Sequence, residues 1–337
     1  MNSIVKKMLV TTLLVGSLAV VACNKSSGGA NEAWRNEENE PDDFFPASSV
    51  THKVTFNYGD KTEEKTVQHG HKVAKPEDPK APSGKRFFGW MNKANGGQIW
   101  NFNRKKLNSV LSDITLEPCF VDANLNPQYF DAEVCPDICA GTGMDGATYS
   151  GGNSGLGLIY WDYDNDYTTH GCEGAYGGFV HYLYVKGDTL TWELESDKAA
   201  DNVSLFMRLG AEYGIPNAAG DDVTSGINDV GFPVTVNGVA QKYGSITFHN
   251  VSKDANGVFD NKGVFLPLQD YLVSATVSLQ AGKNVIQMKV DNDDTVNGTI
   301  ASSAPCVDCI FLYSSSKITW PNADLENIAD KMIEEDE

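Results

Sequence analysis

Residues 179–209, FVHYLYVKGDTLTWELESDKAADNVSLFMRL, decide the class of fold. Three runs within them alternate apolar and polar side chains at period two: 179–184, 189–194 and 203–209. That period puts successive side chains on opposite faces and reads as half-buried β-strand. Lys186-Gly187-Asp188 joins the first two runs as a tight turn. The rhythm continues outward through 234–236, 245–248, 275–279, 284–290 and 310–313, and Asn237-Gly238 is a strong type I′ hairpin signal. Many short strands with regular turns and no helical period predict a β-sandwich or jelly roll over residues 127–316. Trp192, inside a strand, reads as core. Beyond it, 317–337 is an acidic tail, either helical or disordered over 322–336.

Upstream, residues 51–121 form a second, smaller unit. Lys53-Val54-Thr55-Phe56-Asn57-Tyr58 alternates as a strand, with further pieces at 65–67 and 71–73 around Gly70. Pro76, Pro79 and Pro82 punctuate a loop, and strands follow at 86–90, 99–102 and 113–120. V-T-F-N-Y at the start, Phe87-Phe88-Gly89-Trp90, Trp100-Asn101-Phe102 and D-I-T-L near the end closely resemble the internalin-type B-repeat, also called the Listeria–Bacteroides repeat. The resemblance implies a β-grasp-like module, present once, and departs from the family at Cys119-Phe120, where a basic residue and Trp are usual. Phe56, Phe88, Trp90, Trp100 and Phe102 are about what such a module needs for its own core.

The order of pieces in 127–316 resembles carbohydrate-binding modules of families six and thirty-five, which are galactose-binding-like β-sandwiches. Phe130-Asp131-Ala132-Glu133 stands for their opening E-A-E strand and 151–157 for a Gly-rich segment. Gly187-Asp188 leads into a strand, and a later one ends in Arg208. Val236-Asn237-Gly238, Leu279-Gln280-Ala281-Gly282-Lys283-Asn284 and Asp308-Cys309-Ile310-Phe311-Leu312 complete the series. Two insertions, 159–175 and 215–232, and the cysteine content depart from it. The fold implied is thus mainly β: a β-grasp-like repeat followed by a sandwich that binds oligosaccharide or polysaccharide. Period two puts Asp131 and Glu133 on one face, and pairing of first and last strands would add Asp308. Three carboxylates suit Ca²⁺ in a structural role.

For the sugar itself, aromatic rings against pyranose faces and polar side chains on hydroxyls are required. The stretch 160–167, YWDYDNDY, concentrates both, giving Tyr160, Trp161 and Tyr163 as candidates, with Tyr176, Tyr213 and Asn297 on loops the family also uses. No G-x-S-x-G or H-E-x-x-H occurs, and no distinctive carboxylate pair marks a glycosidase. His69-Gly70-His71 reads as a solvated turn. The competing function is a surface adhesin or assembly subunit that binds a protein partner.

The N-terminus sets the compartment. Lys6 and Lys7 precede an apolar run, 8–22, too short to span a bilayer. It ends in Val20-Val21-Ala22-Cys23, resembling a bacterial lipobox, so 1–22 is expected to be a signal peptide and Cys23 the acylated residue that anchors the chain in a lipid bilayer. Asn24 leans toward the outer membrane, surface-exposed or periplasmic. Residues 23–50, polar and acidic, read as a flexible tether. The charge is uneven: 51–121 holds 12 bases and 7 acids, 122–337 holds 10 bases and 32 acids. That acidity excludes nucleic acid as partner. Outside the cytoplasm, Cys119, Cys135, Cys139, Cys172, Cys306 and Cys309 are disulfide candidates. Cys135 and Cys139 with Cys306 and Cys309 would link the terminal strands, with zinc as the alternative. Cys119 with Cys172 is then the remaining pair.

Overall fold

The computed structural model describes residues 49–103, 108–132, 137–139, 157–160, 178–181, 183, 186–211, 215–216, 223–250, 266–291 and 305–323, some of them by backbone alone. The regular elements that lie wholly within them are strands. The first five build the small module: β1 (Thr51–Asn57), β2 (Thr62–Gln68), β3 (Lys85–Asn92), β4 (Gln98–Ile99) and β5 (Ile114–Asp122). β1 runs antiparallel to β2 and parallel to β5, and β5 pairs antiparallel with β3. A parallel central pair with antiparallel flanks is the expected β-grasp-like arrangement. Alternation turns Val54 and Phe56 inward, where they meet Trp90, Trp100 and Phe102. Trp90 takes Phe56 and Tyr58 edge-on, each at 5.0 Å, the geometry that the ring quadrupoles favour.

Two expected strands are shorter than their alternation suggests. At 71–73 only an isolated bridge forms, between Lys72 and Ser109. The run at 99–102 stops early because the Asn101 side chain accepts the amide of Asn103 at 3.0 Å, an Asx turn that competes with the ladder.

The larger module continues with β6 (Gln128–Asp131), β7 (Asp137–Cys139), β8 (Gly157–Tyr160), β9 (Gly178–His181), β10 (Thr189–Ser196) and β11 (Ala200–Ala211). Then come β12 (Ile215–Pro216), β13 (Val223–Asn228), β14 (Val234–Val236), β15 (Val239–Ala240) and β16 (Ser245–Asn250). The last are β17 (Leu266–Leu279), β18 (Gly282–Lys289), β19 (Pro305–Tyr313) and β20 (Ile318–Thr319). One sheet runs β17-β11-β19-β9-β8, with β6 also on β19; the facing sheet runs β15-β14-β18-β10-β20, with β7 on β10. Between them lie Leu190, Trp192, Ile286 and Met288 from one side and Leu205, Met207, Leu209, Val307 and Ile310 from the other. Trp192 is core, as its strand position predicts.

The segment read as the second insertion holds regular structure. It contributes β12 and β13, which with β16 make a third sheet, and it brings Ile227 and Phe232 into the core. The first half of β17 also escapes the alternation rule. Gln269 and Asp270 are consecutive, polar and both buried, because both faces of that strand are covered.

The two modules are docked. Gln98 of β4 pairs with Tyr271 of β17, so one sheet runs continuously from β2 to β8. An apolar layer lies between them: Ile99, Cys119 and Val121 from the repeat against Phe206, Cys309, Phe311 and Tyr313 from the sandwich. Phe88 belongs to this layer, not to the repeat's own core; its ring lies 4.9 Å from Phe206 and 5.9 Å from Tyr313. The Gly96-Gly97 turn makes the approach possible. A Cβ on Gly97, at φ +77°, would sit 2.6 Å from the carbonyl oxygen of Leu272, nearer than any side chain could stand.

Candidate functional site

Antiparallel pairing sets β6 against β19, with Asp131 opposite Cys309. First and last strands of the sandwich thus meet, and the predicted neighbours Asp131 and Asp308 are brought together. Asp308 owes its position to a bulge: Arg208 pairs with Cys309 and Leu209 with Val307, leaving Asp308 the extra residue. A bulge redirects a side chain out of the simple alternation. What Asp308 meets is a cation the strand pattern did not assign a role. Arg208 Nη1 lies 3.5 Å from Asp308 Oδ2 and Arg208 Nε donates to Asp270 Oδ1 at 2.8 Å, all three side chains being buried. The row Asp270, Arg208, Cys309, Asp131 therefore crosses four strands. Burial and the charge of Asp308 push the Asp131 carboxyl up to about 7, against the relief that Arg208 gives. The guanidinium supplies at Asp308 the positive charge that an ion would supply. Among the described residues no group of three His, Cys, Asp or Glu side chains is arranged to hold a metal. Glu133, the third calcium candidate, lies outside the described residues.

The next row on the same face is aromatic. Leu272, Phe206, Phe311 and Tyr129 stand opposite one another across the strands. Phe206 and Phe311 stack at 4.8 Å with planes 2° apart, and Tyr129 lies 4.9 Å from Phe311. The repeat covers this row, so it is not a sugar platform.

Of the cysteines expected in disulfides, Cys119 and Cys309 form none. Cys119 and Cys309 are free, buried thiols, and Cys306 is buried on β19 without a bridge to either. Cys119 and Cys309 act as small hydrophobic groups in the layer between the modules. Burial pushes the Cys119 thiol up to about 12, and burial with the Asp308 charge raises that of Cys309, so both stay protonated and inert. Cys135 and Cys172 lie outside the described residues, as does the side chain of Cys139.

Of the sugar-site candidates, Tyr160 ends β8 opposite Gly178 of β9, and only its backbone is described. Trp161, Tyr163, Tyr176, Tyr213 and Asn297 lie outside the described residues, as do Cys23 and the apolar run before it. Ala211, which ends β11, stands opposite Pro305, which begins β19.

A feature the sequence reading missed lies at the junction of the modules, a groove of about 540 Å³. The repeat lines it with Asn92, Asn95, Gln98, Trp100 and the segment 109–115, and the sandwich with Thr247, His249 and Gln269. Asn95 clamps the edge of β16, donating to the Thr247 carbonyl at 3.0 Å and accepting the Thr247 amide at 2.6 Å. Gln98 Nε2 donates to Gln269 Oε1 at 2.8 Å across the seam. No sequence signal could have found the groove, because it exists only once the modules dock. Beside it, His52 Nε2 lies 2.8 Å from His69 Nδ1, and His52 Nδ1 is 3.8 Å from Asp113. Burial, then the neighbouring His69, lowers the His52 pKa. His69 thus stands in the expected turn but is half-buried and paired with His52 rather than solvated.

These features define a class: a mainly β protein of two docked modules, a β-grasp-like repeat seated on the outer face of a two-sheet sandwich. Residues 52–117 match the family model of the Listeria-Bacteroides repeat domain. No curated protein sequence matches the chain. Among solved structures, similarity extends to the Podospora anserina GH26-CBM35 β-(1,4)-mannanase, at 18% identity and a TM-score of 0.30, covering 57% of this chain and 28% of that one. The CBM35 from Cellvibrio japonicus Abf62 is similar at 15% identity and a TM-score of 0.25, over 46% of this chain and 85% of that one. The CBM36-1 domain of a multidomain xylanase from the hindgut metagenome of Trinervitermes trinervoides is similar at 13% identity and a TM-score of 0.28, over 56% of this chain and 96% of that one.

Proposed function

We propose that this chain is a non-catalytic carbohydrate-binding protein of the cell envelope, anchored in the outer membrane through acylated Cys23, that captures oligosaccharide or polysaccharide with its C-terminal sandwich. One observation carries the reading. The strand bearing Phe130-Asp131 hydrogen-bonds to the strand bearing Asp308 to Leu312, so the first and last pieces of the carbohydrate-module pattern close one sandwich. The intervening pieces fall on its turns: Gly187 at φ +99°, Asn237 and Gly238 at +50° and +78°, and Gly282 at +82°. Asn284 holds the last of these by accepting the Gln280 amide at 2.9 Å and donating to the Gln280 carbonyl at 2.8 Å. The buried Asp270 and Asp308 are tied to Arg208, as ion-pair partners and not as an acid and base facing a cleft.

A structural Ca²⁺ at Asp131, Glu133 and Asp308 belongs to the same proposal. The adjacency of Asp131 and Asp308 and the raised Asp131 carboxyl speak for it; Arg208 beside Asp308 speaks against. A glycan array on the full chain, with Ca²⁺ and again with EDTA, tests both parts. Binding that disappears in Trp161→Ala supports the sandwich site, and loss of binding or of the fold in EDTA supports the ion. A blank array from well-folded protein would exclude carbohydrate and leave the protein-binding adhesin.

A further inference from the structure

We propose that the groove between the repeat and the sandwich is a second binding site, whose ligand is a neutral oligosaccharide; the ligand class rests on the carbohydrate reading above, the site does not. Its volume, about 540 Å³, falls within the range of roughly 300–1,000 Å³ typical of small-molecule sites. Two buried amides form its polar floor. Asn92 is 9% exposed and Gln269 3%. The Asn92 side chain has no hydrogen-bond partner among the described residues. Gln269 accepts from Gln98 through its oxygen, while its own NH₂ is unpartnered among them. Both side chains line the groove, and neither amide is sealed from solvent. A ligand entering there would replace water on both of them.

The lining specifies the chemistry. Amides donate and accept at once, as sugar hydroxyls do, and Ser112 and Thr115 add groups of the same kind. Trp100 and Leu111 supply apolar surface for the C–H faces of a ring. No Lys or Arg lines the groove, and its carboxylate, Asp113, is engaged by the Lys53 amide at 2.8 Å. Apart from His249, a phosphate or uronate would find no cationic side chain; a neutral sugar needs none. Asn92 comes from the repeat and Gln269 from the sandwich, so the site is complete only while the two are docked.

The test follows the side-chain amide signals of Asn92 and Gln269 by NMR on the full chain, assigned from Asn92→Ala and Gln269→Ala. Cellobiose, mannobiose and xylobiose are added to millimolar concentration, with glucuronic acid as the anionic control. At least one neutral disaccharide should shift both signals and glucuronic acid neither. Asn92→Ala, which breaks no bond within the protein, should weaken that binding about tenfold and leave the unfolding midpoint in place. Persistence of the shifts in Trp161→Ala would establish a site independent of the stretch 160–167. Binding that Trp161→Ala abolishes while the groove signals stay silent would overturn the groove and spare the sandwich reading. Silence in the groove with every probe would likewise overturn it, and an equal response to glucuronic acid would overturn its neutrality.

Discussion

At the residue scale the sandwich is organised around one buried cation. Arg208 is 2% exposed and faces Asp270 and Asp308, 4% and 1% exposed. Removing one partner of a buried charge network leaves the others uncompensated, at a cost of about 3–5 kcal/mol. Arg208→Leu is therefore expected to lose that much in urea unfolding, and a loss under 1 kcal/mol would mean the cluster is hydrated. Asp131 carries the pH dependence. Burial and the neighbouring Asp308 charge push its folded carboxyl up to about 7, whereas an unfolded aspartate titrates near 4. The folded chain thus keeps a proton that the unfolded chain has released, so this contribution is complete below about pH 4 and lost as pH rises through 7. Asp131→Asn should flatten the fall in stability between pH 5 and pH 8; an unchanged slope would assign the dependence to another group. A bound Ca²⁺ would reverse the sign, holding Asp131 ionised and making stability rise with pH, which the same titration in Ca²⁺ and in EDTA would reveal. The adjacency of Asp131 and Asp308 was legible from strand order. The role of Arg208 was not, because a bulge and a cross-strand register set it.

At the element scale, period-two alternation located β1, β3, β5, β10, β11 and β18, although both faces of β11 are covered. It failed in the first half of β17 and where a side chain interrupts the ladder. The first half of β17 packs Tyr271 into the sandwich core while Leu272 meets the layer beneath the repeat, and so shows no alternation. Phe88 shows the same limit: its spacing fixed which face of β3 it occupies, not what lies beyond that face. The short β4 and its turn are the elements on which docking depends. Leu272 donates its amide to the Gly97 carbonyl at 3.0 Å, and the Gly97 φ of +77° is one that side chains rarely adopt. Gly97→Ala combines backbone strain with the clash against Leu272. Limited proteolysis should then cut between the modules in the variant and leave the wild type intact; equal resistance would show that the seam tolerates the methyl group.

At the scale of the whole molecule, two forces could hold the repeat on the sandwich. One is charge, since 51–121 carries a net +5 and 122–337 a net −22 by the counts of bases and acids. The other is the apolar layer of Phe88, Val121, Phe206, Phe311 and Tyr313. Attraction between exposed charges is screened beyond about 3 Å at 1 M salt, whereas burial of apolar surface is not weakened by salt. The layer includes a stacked pair, Phe206 on Phe311, and Phe88 is its contact from the repeat. If the layer dominates, calorimetry should give one unfolding transition for the docked modules at both low salt and 1 M NaCl. Phe88→Ala should lower its midpoint, with a loss of about 2–3 kcal/mol, less than for a fully buried Phe, or split it in two. If charge dominates, salt alone should separate the transition into two and Phe88→Ala should matter little. Arg86, which donates to the Tyr313 hydroxyl at 3.2 Å, is a polar contact at the edge of the layer. Its removal should change the salt response slightly and the midpoint less than Phe88→Ala does, because a half-exposed bond of this kind contributes only about 0.5–1.5 kcal/mol.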